Sequence, residues 1–342
     1  MLFERRPVAD TENTILVHSI RLPELTLKKG KKISAADITL LINAGVESIE
    51  VAALQDGDIG EDQAAGILAG ATAGANLEAD QPFTGRCNLY ATQPGLLVIN
   101  HGGVDQINGV HESLTLATLA PYSTVTAKQL VATAKIIPFA VTKRHLVSCL
   151  QAARKHFPLL SVAPFAGHRV GLILTSLPGM RKSILDKTVK VLCGRLEPLA
   201  CRLSREMRCG HDRQELCAAL TDLTGSGVEI IIISSASAIA DRRDVVPSAI
   251  TAAGGEVVHF GMPVDPGNLL LYARIDRVPV LGMPGCARSP KLNGFDFVLQ
   301  RLAAGLKVSA RDIMYMGAGG LLHEIANRPL PREKMLKVES KK

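Results

Sequence analysis

The residues best suited to chemistry lie in one run, 234–250, with the sequence SSASAIADRRDVVPSAI. The isoleucines Ile230, Ile231, Ile232 and Ile233 lead into it, and the small residues Ser234, Ser235, Ala236 and Ser237 follow. An Asp-Arg-Arg-Asp tetrad occupies 241–244, and a helix-like segment opens around Pro247. A buried strand that empties through small residues into a helix N-terminus leaves backbone N–H groups free for an anion. Arg243 has the planar fork that pairs with a phosphate. Asp244 suits two roles: an acceptor for a ligand or a magnesium ion, or a helix cap, which Asp fills well. Asp241 and Arg242 are as well suited to pairing with each other. The serines carry weight only as a group, because one serine after a strand is most often a turn residue.

The elements that must position this run fill the second half of the chain. Apolar stretches predict strands over 170–174, 207–209, 229–233, 257–260 and 278–283, and helices over 183–199, 214–224, 247–253 and 291–304. Their alternation is that of an α/β protein with a mostly parallel sheet. The Ile/Val runs are near-continuous, which predicts strands covered on both faces. Such sheets bind ligands beyond the carboxyl ends of their strands. The segments Thr175-Ser176, 234–237 and 284–290 therefore face one crevice, the last carrying Pro284, Gly285, Arg288 and Ser289.

In order and spacing these motifs resemble the molybdopterin-binding domain of MoeA-type, MogA-type and gephyrin-like proteins of molybdenum cofactor biosynthesis. That family carries T-x-G-G after an aliphatic strand, an R-D-V-x-P-x-A helix start, a Pro-Gly between two strands, and G-x-P-G-N-P. The counterparts here are 234–237, 243–249 (RDVVPSA), Pro266-Gly267 and 282–285 (GMPG), with Thr175 where the family places the Thr of its first strand end. The likeness covers about 168–305. It implies a three-layer, MogA- or MoeA-like α/β domain preceded by an α+β domain, with molybdopterin as ligand or substrate. Under it Thr175, Ser234, Ser235, Ala236, Ser237, Arg243, Asp244, Pro284, Gly285, Arg288 and Ser289 contact the cofactor, and no residue is assigned as catalytic or as a metal ligand. The chain departs from the pattern in informative ways. Ala236 and Ser237 replace glycines, Asp265 and Asn268 stand where lysines flank the Pro-Gly turn, and Thr175-Ser176-Leu177-Pro178-Gly179 replaces an acidic TGDEL-like segment. Those changes favour holding the cofactor, in its biosynthesis, maturation or handover, over transforming it. The alternatives are a Mg²⁺-dependent molybdo- or nucleotidyl-transferase, and a scaffold delivering cofactor to a cytidylyltransferase or molybdoenzyme partner. The relatives imply a homo-oligomer.

The whole chain resembles bacterial molybdopterin-binding proteins often fused to a MobA-like cytidylyltransferase. Its 302–311 segment imitates that enzyme's LAAGxSxRMGxxK loop, but the Ser and Arg come late and the Met-Gly-x-x-Lys is missing. The expected organisation is an α+β domain over 1–165, a molybdopterin-binding domain over 166–306, and an extension with a basic tail over 307–342. Residues 1–32 and 328–342 supply +3 and +4 of the net charge of +7, so the domains between are neutral. That distribution, with aromatics at 4% and no Trp, speaks against nucleic acid. No apolar run reaches the ~20 residues of a membrane span, and charges occupy the place of a signal h-region. Seven cysteines without short-range pairs point to a reducing, cytoplasmic setting. Cys193, Cys201, Cys209 and Cys217 recur at a regular interval, but Pro198 and Gly210 interrupt any one helix carrying them, so they read as buried thiols. In the first half, 84–88 (TGRCN) and 108–112 (NGVHE) are polar stretches that line a second site or an interface, and 316–320 (MGAGG) reads as a turn.

Overall fold

The computed structural model describes residues 1–22 and 26–322, so most of the expected basic tail lies outside the described residues. The chain divides into two compact units, Met1–Phe165 and Ala166–Lys342.

Among the described residues of unit 1 there are two apolar cores. In the smaller, strands Leu2–Pro7, Ser48–Ala53 and Ile15–Leu16 form an antiparallel sheet, with Leu16, Leu41 and Val51 buried together. The helix Ala35–Asn43 is capped by Ser34: its hydroxyl accepts the Asp37 N–H, and the Asp37 carboxylate accepts the Ser34 N–H. The larger core joins the helices Glu61–Thr72 and Lys143–Lys155 to strands Arg86–Ala91, Gly95–Ile99, Leu130–Ile136 and Leu160–Pro164. Ala64, Leu68, Leu89, Leu97, Val131 and Leu160 meet there.

Unit 2 is one mixed six-stranded sheet. Its elements are β1 (Arg169–Ser176), α1 (Lys182–Leu196), β2 (Arg202–Gly210), α2 (Arg213–Gly225), β3 (Ile230–Ser234), α3 (Val245–Ala252), β4 (Glu256–Phe260), β5 (Leu271–Ile275), β6 (Val278–Met283), α4 (Gly294–Ala303) and α5 (Ala310–Met314). The strand order is β2-β1-β3-β6-β5-β4. The first four run parallel, while β5 and β4 pair antiparallel at the far edge. Ile173, Ile231, Ile233, Leu271 and Val280 pack with Leu216, Leu220 and Leu223 of α2 and Val246, Ala249 and Ile250 of α3. Successive strand residues point to opposite faces, and the alternate set, Leu172, Leu174, Ile230, Ile232 and Leu281, is buried as well. Both faces are therefore covered, which is why these strands read as unbroken aliphatic runs.

Register fixes the site. Leu174 lies opposite Ser234, Ser234 opposite Met283, and Thr175 opposite Cys209. The chain thus leaves β1, β2, β3 and β6 at one edge and one level.

Two differences from the sequence expectation have physical causes. The strand expected at 207–209 begins at Arg202 and carries Arg202, Arg205, Glu206 and Arg208. It is an edge strand, where charge is tolerated and blocks further pairing. The strand Leu271–Ile275 was not expected at all. It is half of a hairpin whose turn takes Asp276 to φ 51°, a conformation Asp adopts more readily than most residues.

The Ser34–Asp37 cap has a pH signature. Burial alone would raise the Asp37 carboxyl, but hydrogen bonds from the Lys31 ammonium, the Ser34 hydroxyl and the Ser34 N–H prevail and hold it at about 2. A carboxyl depressed in the folded state adds stability above its unfolded pKa of about 4, and that stability is lost as the pH falls towards the folded value. Asp37→Asn is expected to lower the melting temperature at pH near 7. The deficit relative to wild type should shrink as both proteins are melted at falling pH below about 4. A deficit that stays constant across that range would refute the role given to this carboxylate.

Candidate functional site

The site is built on the common edge of β1, β2, β3 and β6. At its centre is the hydroxyl of Thr175, a residue with no exposed surface. Thr175 Oγ1 accepts the Ala236 N–H at 2.8 Å and lies 3.0 Å from Nδ1 of His211, just past β2. The ends of β1, β2 and β3 are thereby joined through one oxygen. The His211 N–H bonds the Ser176 carbonyl at 2.9 Å, and Asp212 then caps α2 by accepting the Gln214 and Glu215 N–H groups. His211 Nε2 has no hydrogen-bond partner among the described residues.

The loop after β3 is pinned at a second point. Ile239 is buried against Gly282 of β6, where an added Cβ would lie 3.0 Å from Ile239 Cδ1 and 2.8 Å from Leu271 Cβ. Only a residue without a side chain allows that approach. Along this segment Ser234 and Ser235 are buried, Ala236 is half-buried and Ser237 is exposed.

Arg288 closes over this loop from the turn after β6. Its Nη2 donates to the Ser235 carbonyl. Its Nε is buried without a partner, as is the Ser235 hydroxyl on the other side of the same contact. Arg288 makes no ion pair among the described residues, whereas Arg195, a cation that sequence reasoning missed, binds this turn and α4 through Nε and Nη2, with its Nη1 buried without a partner. Arg195 Nε bonds Asp296 at 2.7 Å, and Nη2 bonds the Ser289 and Lys291 carbonyls at 2.8 and 2.9 Å. Asp296 in turn accepts the Asn293 N–H at 2.8 Å and completes the capping box of α4. A nearly buried ion pair thus holds the segment that carries Arg288. Pro284 is buried, while Gly285 and Ser289 are exposed. Pro266-Gly267 reaches the same edge. Gly267, at φ 142°, seats against Gly294 at the start of α4, where a Cβ would come within 2.8 Å of the backbone.

The tetrad after the serines has a different place. Arg243 forms a paired hydrogen bond with Asp241, Nε to Oδ1 at 2.7 Å and Nη2 to Oδ2 at 3.3 Å, on the open surface. Arg242 donates instead to the Val257 carbonyl. Asp244 is the cap of α3: Oδ1 accepts the Val245 N–H at 2.7 Å and Oδ2 the Ala240 N–H at 3.1 Å. Both its oxygens are occupied by the backbone, so the residue shapes the loop. Of the expected contact residues the structure therefore gathers Thr175, Ser234, Ser235, Ala236, Pro284 and Arg288 about one point. It holds Arg243 and Asp244 in the helix-start loop beside them.

The Cys209 thiol at this edge is not poised as a thiolate nucleophile. Burial, then the charges of Glu215 and Asp212, push the Cys209 thiol to about 11. The four evenly spaced cysteines fall on α1, the turn before β2, β2 and α2. Among the described residues no group of three or more His, Cys, Asp or Glu is placed to hold a metal. No helix among them is long and apolar enough to cross a membrane. In unit 1, His111 stacks on His145 at 4.1 Å and bonds Ser113 through Nδ1, so its neighbour Glu112 is not its partner. The 316–320 segment is a turn closed by Gly320 N–H to the Gly317 carbonyl.

No family model matches the chain, and no curated protein matches it. Among solved structures it is similar to a molybdopterin biosynthesis MoeA protein from Pyrococcus horikoshii, with 12% identity and a TM-score of 0.32 over 89% of this chain and 75% of that one. It is also similar to the molybdopterin biosynthesis enzyme MoaB from Thermus thermophilus, with 16% identity and a TM-score of 0.30 over 40% of this chain and 97% of that one. A molybdenum cofactor biosynthesis protein from Pyrococcus furiosus aligns with 90% of this chain and 66% of its own, at 12% identity and a TM-score of 0.26. These are distant likenesses, and the geometry of the site stands on its own residues.

Thr175→Val keeps the shape of the side chain and removes the oxygen. It leaves the Ala236 N–H without its acceptor, a loss of about 1–3 kcal/mol. Denaturant unfolding should register that loss, and amide exchange at Ala236 should accelerate. Unchanged exchange at Ala236 would show that the hydroxyl does not hold the loop.

Proposed function

We propose that unit 2 binds a phosphate-bearing pterin of the molybdopterin type at the strand ends and serves in the biosynthesis, maturation or handover of that cofactor. One observation carries the reading: the Ser235 hydroxyl and Arg288 Nε are both buried without partners at the contact that joins them. An unpaired buried polar group costs about 1–3 kcal/mol. A phosphate oxygen entering as the guanidinium swings towards it would satisfy both groups. The motif order from Thr175 through Gly285 is what suggests a pterin as the remainder of the ligand.

The donors present suit a phosphate. Arg288 supplies a fixed positive charge, His211 Nε2 a second site, and Arg181 and Lys182, exposed at the head of α1, add cations at the same edge. They suit Mg²⁺ poorly, because both oxygens of Asp244 are engaged by backbone N–H groups. A metal there would have to share the carboxylate that caps α3. Holding the cofactor is therefore favoured over a Mg²⁺-dependent transfer. A scaffold role towards a cytidylyltransferase or molybdoenzyme, and assembly with further copies of this chain, are compatible with the same site.

The test is a binding titration with molybdopterin, followed by pterin fluorescence, on wild type and Arg288→Ala. A charge-assisted contact contributes about 1.5–3 kcal/mol, so the variant should bind roughly 10- to 100-fold more weakly. Wild type that does not bind, or a variant that binds as well as wild type, would end the proposal.

A further inference from the structure

Unit 1 contains a cleft of about 820 Å³ whose chemistry the strand-end site does not explain. Aromatic residues are scarce in this chain, yet three of its eight phenylalanines, Phe3, Phe83 and Phe139, line this one cleft. Phe83 is 75% exposed and Phe3 59% exposed. Leaving rings of that size in water forgoes about 1.5–3 kcal/mol for each that could be buried. Phe139 carries the Lys29 ammonium over its face at 5.6 Å.

Charge is arranged beside the rings. Lys31 is tied to Asp37, and Lys135 bonds the Thr84 carbonyl with Glu61 nearby at 4.0 Å. Lys28 and Lys29 line the same cleft and have no ion-pair partner among the described residues. Of the acids, Asp62 accepts the Gly85 N–H through Oδ1. Glu61 keeps acceptor capacity towards the cleft at the start of the helix Glu61–Thr72.

The geometry points to a site for one planar heterocycle bearing a phosphate, with its ring on the phenylalanines, its phosphate on Lys28 and Lys29, and a ring N–H donated to Glu61. Neither half of the lining suffices by itself. An inorganic anion has no use for exposed rings, and an apolar ligand none for two unpaired ammonium groups. The volume is that of a pocket for one small molecule. Nucleoside phosphates and pterin phosphates share this chemistry. The inference stands apart from the strand-end site, which lies in the other unit and uses other residues.

Calorimetric titration of the full chain with AMP, CMP, GMP, UMP and neopterin monophosphate tests it. At least one of these should bind with a Kd below about 1 mM. Replacing Lys28 and Lys29 together by Ala should weaken that ligand by roughly 10-fold or more, as expected for lost charge-assisted contacts. Phe83→Ala, at a position too exposed to matter for folding, should weaken it by roughly 5- to 100-fold, as expected for a lost base–aromatic stack. Arg288→Ala should leave it unchanged, which separates this site from the strand ends. Whether the nucleotides or the pterin bind identifies the source of the ligand, and either supports the inference. It is overturned if none of the five binds, if inorganic phosphate binds as tightly as the best of them, if the lysine and Phe83 variants bind normally, or if Arg288→Ala abolishes binding. A short single-stranded RNA binding far more tightly than any mononucleotide would also overturn it, by marking an extended surface in place of a pocket.

Discussion

One buried hydroxyl sets the geometry on which the site in unit 2 depends. Thr175 Oγ1 sits at the end of β1, receives the N–H of Ala236 from the loop after β3, and contacts His211 from the loop after β2. Parallel strands bring their ends to one edge but leave the loops free to diverge. A single acceptor shared between those loops removes that freedom. It can do so because the register puts Thr175 level with Cys209 and one residue beyond the Leu174–Ser234 pair. The sheet supplies the level, and the hydroxyl supplies the convergence.

The other side of the crevice is held by charge. Arg195 joins α1 to the turn after β6 through two hydrogen bonds and pairs with Asp296, the residue that also completes the cap of α4. An ion pair this deeply placed adds little net stability, since desolvation offsets most of its attraction. Its consequence is positional: it fixes the segment from which Arg288 reaches Ser235. One rim is thus set by a hydroxyl and the other by an ion pair. The unpartnered Ser235 hydroxyl and Arg288 Nε lie between these fixed points, where a small movement of Arg288 would expose them to a ligand.

Much of this was legible in the sequence. Unbroken Ile/Val runs gave away strands covered on both faces, and small residues at their ends marked the edge that matters. What was not legible depends on contacts distant in sequence. Arg195 meets Asp296 and the carbonyls of Ser289 and Lys291 only in the folded sheet, and no local spacing announces it. His211 is a lone histidine in a loop, and only register brings it to Thr175. The charged strand β2 was under-read because edge strands break the apolar pattern by design of their exposure. Asp244 and Arg243 carried two compatible readings in the sequence. The structure gives Asp244 to the backbone of its own helix and Arg243 to Asp241, because neighbours along the chain can satisfy both before any ligand arrives.

The central claim is that the ends of β1, β3 and β6 hold a phosphate-bearing pterin. Hydrogen–deuterium exchange of the whole chain with and without molybdopterin addresses it most directly. The account predicts slowed exchange in 234–240 and 284–291, whether or not 27–31, 83–86 and 137–139 in the first unit slow as well. Protection confined to those first-unit segments, with the strand-end loops unaffected, would contradict it.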